Sequence, residues 1–280
     1  MTQRPFQLVD VFHDGPFTGN PLAVVFDADG LGTAEMHTIT RWLNLSETVF
    51  LLRPSSPAAD YRVRIFTLER ELPFAGHPTL GSCHAWLSNG GKPAADAEIV
   101  QECGAGLVRI RPSGEWLAFA APPLIRGGTV DEATLTRVAA FLQIGRAEIV
   151  DAQWADNGPG WVAVLLASAD AVLALEPVRA HPGRIDVGVV GPHRAGSPTA
   201  WELRAFFTDQ HDAVREDPVT GSLNASIAGW LLSSGRASAP YLAAQGTRLG
   251  RSGRIQIRQD PQGVWVGGRA TTLFSGVCTA

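Results

Sequence analysis

The chain of 280 residues has few cysteines, and Cys83, Cys103 and Cys278 are all there are. An odd number without metal-type spacing excludes a disulfide scaffold and a zinc module, and fits reduced cytosolic thiols. Charge is also sparse: 18% of residues are charged, the net charge is -4, and the arginines are scattered singly. With no basic face to neutralise phosphates, a nucleic-acid partner is excluded. No apolar run approaches the ~20 residues needed to cross a bilayer. Met1 to Pro5 lead straight into a strand-like stretch, without the apolar core of a signal peptide. No low-complexity segment or charge run interrupts the chain. The expectation is a soluble cytoplasmic protein with no membrane or nucleic-acid partner, in which the sequons at Asn44 and Asn224 carry no meaning.

Cofactor signatures are missing as well. No G-x-G-x-x-G opens a helix. Gly76-x4-Gly81-Ser82 imitates a phosphate-binding loop, yet Ser82 stands where that motif needs its lysine. His77 and His84 could align over two helical turns, but no third metal ligand is suggested by spacing.

What the sequence does have is an internal repeat. Pro78-Thr79-Leu80-Gly81-Ser82-Cys83-His84-Ala85 and Pro218-Val219-Thr220-Gly221-Ser222-Leu223-Asn224-Ala225 share the pattern P-x-x-G-S-x-x-A. Each follows an alternating strand-like run ending in Phe-Thr, at Tyr61 to Thr67 and at Trp201 to Thr208. Downstream, 106–116 and 253–265 both read as hairpins that end on an inward Trp. Near the two starts, 10–26 and 151–166 also look alike. Such an ordered series implies a duplicated fold. With 45% hydrophobic residues the chain can bury two ordinary cores.

The reading is therefore α/β (α+β), with two pseudo-symmetric domains. Each is a curled, mostly antiparallel, barrel-like sheet around a central apolar helix opened by one P-x-x-G-S motif. Residues 80–87 and 223–231 are apolar around most of the helix circumference, as a central rod must be. The Pro- and Gly-rich stretch 121–128 divides domains 1–125 and 126–280, with terminal strands free to cross between them. Amphipathic helices are predicted at 35–43 and 131–143, and read as counterparts.

Titratable side chains precede both prolines: His77 and Asp217. Structurally, Asp217 suits a helix N-cap and Pro the first helical position, while His77 is a poorer cap. Functionally, two helix N-termini with free N–H groups make anion sites, and Gly81 and Gly221 permit close approach of a ligand. The residues themselves leave both readings open. A third candidate is Glu47, set in the apolar run 43–52. It is either an ordinary edge-strand glutamate or, if buried beside a site, a proton carrier whose pKa desolvation would raise.

Taken together these segments resemble the PhzF-like phenazine biosynthesis family, which shares the diaminopimelate epimerase-like fold. The resemblance rests on Val9 to Phe12, Phe17 to Val25, Asn44 to Phe50, Glu71 to Thr79, Glu216 to Ser222 and Val264 to Ala270, in that order. It implies a cofactor-independent isomerase, usually a homodimer, with the active site in a cleft between the domains. By the same mapping Glu47 is the acid/base group, and His77 and Asp217 are its helpers. Gly76, Gly221 and Ser222 hold the substrate, and Asn20 lies near the cleft. The related epimerases use two cysteines at the helix entries, which this chain lacks. The expected reaction is a proton shift on a small unsaturated or cyclic carboxylic or amino acid. It resembles trans-2,3-dihydro-3-hydroxyanthranilate isomerisation. The alternatives are an amino-acid epimerase, or a non-catalytic small-molecule binding protein on the same fold.

Overall fold

A computed structural model describes residues 2–95 and 97–280. The chain forms two compact units, residues 1–120 with 267–280, and residues 121–266. The last stretch of chain thus returns to the first unit.

The first unit opens with strands β1 (Gln3–Val11) and β2 (Asn20–Val25), helix α1 (Thr33–Leu43), then β3 (Glu47–Leu52) and β4 (Tyr61–Phe66). A two-residue strand β5 (Glu71–Leu72), helix α2 (Gly76–Ser88), and strands β6 (Ile99–Cys103), β7 (Gly106–Ser113) and β8 (Trp116–Ala120) follow. The second unit begins with α3 (Glu132–Leu142), β9 (Asp151–Trp154), β10 (Val162–Leu165) and α4 (Ala169–Ala174). It continues with β11 (Asp186–Pro192), β12 (Trp201–Thr208), β13 (Val214–Asp217) and α5 (Gly221–Ser233). Strands β14 (Tyr241–Gln245), β15 (Gly253–Asp260) and β16 (Gly263–Thr279) complete the chain.

The duplication is written in the strand pairings. In the first unit β1/β2, β3/β4, β6/β7 and β7/β8 pair antiparallel, while β2/β3 and β4/β6 pair parallel. In the second, β9/β10, β11/β12 and β14/β15 are antiparallel, while β10/β11 and β12/β14 are parallel. Each parallel join needs a crossover, and the helices supply it: α1 and α2 in one unit, α4 and α5 in the other. In the first unit, β16 neighbours β8 and pairs with β1 from Gln3↔Thr279 to Val11↔Ala270, closing a ring of eight strands. In the second, the order β16-β15-β14-β12-β11-β10-β9 runs without such a closure among the described residues.

The helix at 131–143 does form, with Asp131 as its N-cap accepting from the Thr134 amide at 2.9 Å. It is not the counterpart of α1, however. It precedes β9, and the crossover equivalent to α1 is the short α4, which periodicity over six residues could not reveal. Both α3 and α4 pack on one face of the sheet, with Val138, Phe141 and Val172 against Val164, Val187 and Val189.

Helices α2 and α5 occupy the opposite faces and are buried along most of their length. Their approach to the sheets is close enough to require glycine, but the glycine changes sides. A Cβ on Gly81 of α2 would lie 2.4 Å from Leu22 Cδ2 and 2.9 Å from Val11 Cγ2. On α5 it is Leu223 that projects, and Gly188 of β11 that makes room, with a hypothetical Cβ 2.2 Å from Leu223 Cδ1. Gly81 is therefore filled by its own barrel wall and offers no room to a ligand, contrary to the sequence expectation. The hairpin tryptophans also differ: Trp265 is buried, whereas Trp116 is half-exposed beneath the Arg269 guanidinium.

Candidate active site

The first unit brings Glu47 and His77 together. Helix α1 ends on Asn44, which adopts left-handed backbone (φ 54°), a conformation Asn tolerates better than most residues. The turn delivers Glu47 as the first residue of β3, opposite Leu22 of β2. His77 is the second residue of α2, whose N-cap is Ala75. Glu47 Oε2 lies 3.4 Å from His77 Nδ1, with the two side chains 16% and 4% exposed.

Burial lowers the His77 pKa to about 3, and a hydrogen bond to the backbone of Pro21 opposes this only in part. The imidazole is accordingly neutral at physiological pH, and the contact is not a charged pair. A neutral ring carries one donor and one acceptor, and the Pro21 backbone engages the ring, so the 3.4 Å approach to Glu47 is a close contact and not a hydrogen bond. Asn20, the residue before Pro21, is fully buried at the start of β2, across from Val11.

In the second unit Asp217 ends β13, where it pairs with Ala205 of β12. The helix itself starts at Gly221 with Thr220 as N-cap, so Asp217 lies outside it and neither His77 nor Asp217 is a cap. The two motifs, identical in pattern, thus enter their helices several residues apart. Beyond its first turn α5 has internal acceptors, but the N–H groups of Gly221 and Ser222 lie where an α-helix provides none. Ser222 is held from both ends. Its carbonyl accepts Asn157 Nδ2 at 2.8 Å and its hydroxyl oxygen accepts Trp161 Nε1 at 3.4 Å.

Each entry loop rests on a glycine from the turn after the strand that follows its helix. A Cβ on Gly104 would meet Pro73 Cα at 2.8 Å, and the Ala105 amide donates to the Pro73 carbonyl at 2.9 Å. A Cβ on Gly246 would meet the Pro218 carbonyl at 2.6 Å. Two fully buried glutamines reinforce the arrangement, Gln101 on β6 and Gln245 on β14. Gln101 accepts from Tyr61 and Ser82 and donates to Thr79. Gln245 accepts from the Thr220 amide and Asn224, and donates to Thr220 Oγ1 and the Asp217 carbonyl.

Sequence reasoning missed Thr220, Gln245, Trp161 and Asn157. Thr220 had a local signal, since Asp-x-x-Thr spacing lets the hydroxyl reach the carboxylate, and Thr220 Oγ1 does donate to Asp217 Oδ2 at 2.6 Å. The others lie far away in sequence, and nothing local marks them.

Burial pushes the Cys83 thiol, inside α2, up to about 12, so it is neither base nor nucleophile at neutral pH. Among the described residues no group of His, Cys, Asp and Glu is arranged to hold a metal ion, and no helix is long and apolar enough to cross a membrane.

Comparison with known proteins places this geometry in a family. The model for "Phenazine biosynthesis-like protein" matches residues 9–276. The chain is 37% identical to "Antisense-enhancing sequence 1" of Schizosaccharomyces pombe, over 99% of both chains. It is 34% identical to the trans-2,3-dihydro-3-hydroxyanthranilate isomerase of Pseudomonas fluorescens, covering 88% of this chain and 87% of that one. Among solved structures, a predicted epimerase from Pseudomonas aeruginosa superposes with a TM-score of 0.80 at 28% identity, over 99% of both chains. The chain belongs to the phenazine biosynthesis-like (PhzC-PhzF) family. Its relatives' names and its family membership make it an isomerase; the substrate is a separate question.

Proposed function

We propose that this isomerase catalyses a cofactor-independent proton shift on a small unsaturated or cyclic carboxylic or amino acid, with Glu47 as the single acid/base group. The observation that supports it most is the sheltered contact of Glu47 with a neutral His77. As a carboxylate, Glu47 takes a proton from a substrate carbon. The proton then resides on the Glu47 carboxyl group, beside the neutral His77 ring. It is then returned to a different carbon of the conjugated system, on the same face of the substrate. The buried His77 ring flanks the carboxyl through both steps, and holding the base in place contributes to its rate advantage.

The same reading gives Asp217 a hydrogen-bonding role toward the substrate's polar groups. Gly76, Gly221 and Ser222 supply helix-entry donors for its carboxylate. The proposed reaction is of the kind named for the Pseudomonas fluorescens relative, a trans-2,3-dihydro-3-hydroxyanthranilate isomerase. Epimerisation by paired thiols is not favoured, because Cys83 lies within its helix and its thiol stays protonated.

The test is incubation with trans-2,3-dihydro-3-hydroxyanthranilate and a panel of unsaturated and cyclic amino acids, in H₂O and D₂O, followed by NMR. A double-bond isomer or an exchanged carbon-bound hydrogen is expected with wild type. Turnover should fall by about 10²–10⁴-fold in Glu47→Gln, with substrate binding retained. Retained turnover in Glu47→Gln removes that residue from the role. Loss of optical activity without a new isomer identifies an epimerase instead.

A further inference from the structure

The polar network at the entry of α5 has directions that can be deduced rather than assumed. The Thr220 backbone N–H can only donate, so the Gln245 atom 3.0 Å from it is the amide oxygen. That oxygen also accepts from Asn224 Nδ2 at 2.8 Å. The Gln245 nitrogen therefore faces the other way, and its two protons meet the Asp217 carbonyl at 3.1 Å and Thr220 Oγ1 at 2.9 Å. Having accepted there, the Thr220 hydroxyl has one proton left to place. It stands 2.6 Å from Asp217 Oδ2. Every rotor in the chain Gln245 to Thr220 to Asp217 is thus set by an obligate donor or acceptor at its far end.

Among the described residues the first unit has no equivalent. Gln101 sits on the corresponding strand and also reaches a threonine of the helix entry, Thr79, at 3.2 Å. Thr79 spends its proton on the Ala75 carbonyl at 2.9 Å, a backbone group, and not on His77. Gln101 holds the Tyr61, Ser82 and Thr79 hydroxyls, and through Thr79 the Ala75 carbonyl. Gln245 anchors main chain and, through one hydroxyl, a carboxylate assigned to the reaction.

We propose that Gln245 and Thr220 are positioning residues that act as a one-way hydrogen-bond relay. They hold Asp217 Oδ2 as an acceptor and thereby leave the orientation of the carboxylate fixed for its substrate contact. The relay is read from geometry; its catalytic consequence rests on the function proposed above, in which Asp217 takes part.

Four variants separate the relay from a merely structural role. Thr220→Val removes the hydroxyl at nearly constant volume, and Thr220→Ser keeps it. Gln245→Glu is close to isosteric but replaces the donor with a second acceptor, so the Thr220 proton turns toward residue 245. Gln245→Leu removes the network altogether and reports its contribution to folding. The Asp217 carboxyl is followed by ¹³C NMR with labelled aspartate, assigned by Asp217→Asn. Its midpoint should rise by about one pH unit in Thr220→Val and Gln245→Glu, and stay near wild type in Thr220→Ser. Turnover of a substrate found in the panel should fall at least about tenfold in the first two, mainly in kcat, and recover in Thr220→Ser.

An unshifted Asp217 midpoint in Thr220→Val and Gln245→Glu overturns the relay. So does an equal loss in Thr220→Ser, which would reduce the role to packing. The NMR arm uses no substrate, so a wild type inactive on every compound counts against the proposed reaction and leaves the relay to be decided by the midpoints.

Discussion

Glu47 Oε2 lies 3.4 Å from His77 Nδ1, although thirty positions separate the two residues in the chain. The parallel pairing of β2 with β3 and the entry of α2 bring them together. The ring is neutral because it is buried, and that has consequences for both stability and catalysis.

For stability the sign is set by which state binds the proton more readily. The His77 pKa is about 3 folded and near 6.5 unfolded, so protons favour the unfolded chain. The contribution is fully present above pH 6.5 and is lost progressively as pH falls toward 3. Urea unfolding at pH 7, 5.5 and 4.5 should show a decline in wild type that is shallower in His77→Gln. His13 and His84, whose pKa values burial also lowers, push the same way and leave a residual slope. Equal slopes in wild type and variant would contradict a neutral buried His77.

For catalysis, a ring that stays neutral across the working range cannot generate an activity limb between pH 6 and 7. The pH profile of kcat should therefore lack a His77 titration there. His77→Asn, which retains a donor amide, should preserve more activity than His77→Leu.

Withdrawing the base by one methylene tests positioning separately from chemistry. Glu47→Asp should fold normally, since Glu47 is at the rim of its strand rather than in the core. Its kcat should fall by about 10²-fold, as expected when a reacting group is displaced by roughly 1 Å. A loss smaller than about threefold would argue against tight placement of this carboxylate.

The glycine at Gly81 makes a packing prediction. Gly81→Ala places a methyl group where Leu22 Cδ2 and Val11 Cγ2 already are, so the rod must shift from the wall. Overpacking of this kind costs about 1–3 kcal/mol, outweighing the helix propensity gained from alanine. Chemical denaturation reads this directly, and an unchanged or raised midpoint would show that Gly81 is not a contact point.

The family resemblance implies a homodimer. On the first unit Phe17 and Phe274 are 59% and 56% exposed and meet edge to face, with ring centroids 6.1 Å apart. Light scattering should give twice the mass of 29.8 kDa for wild type, with a shift toward monomer in Phe274→Glu. Monomeric wild type at micromolar concentration would remove this part of the reading.

By itself the sequence determined the duplication, the two apolar rods and the residue types at each helix entry. These are properties of local pattern: alternation over 61–67 and 201–208, apolar runs around 80–87 and 223–231, and a shared P-x-x-G-S. It could not decide how each pattern is used. The two motifs differ by no more than ordinary substitutions, yet Gly81 is a mid-helix packing point and Gly221 begins a helix, because packing against Leu22 and Val11 exists only in the folded first unit. Nor could it show that Asp217 is reached by Gln245, twenty-eight positions on. Hydrogen-bond direction and burial depend on every group that surrounds an atom, and those groups come from strands distant in the chain. Pattern is local; the protonation of His77 and the orientation of Asp217 belong to the tertiary structure.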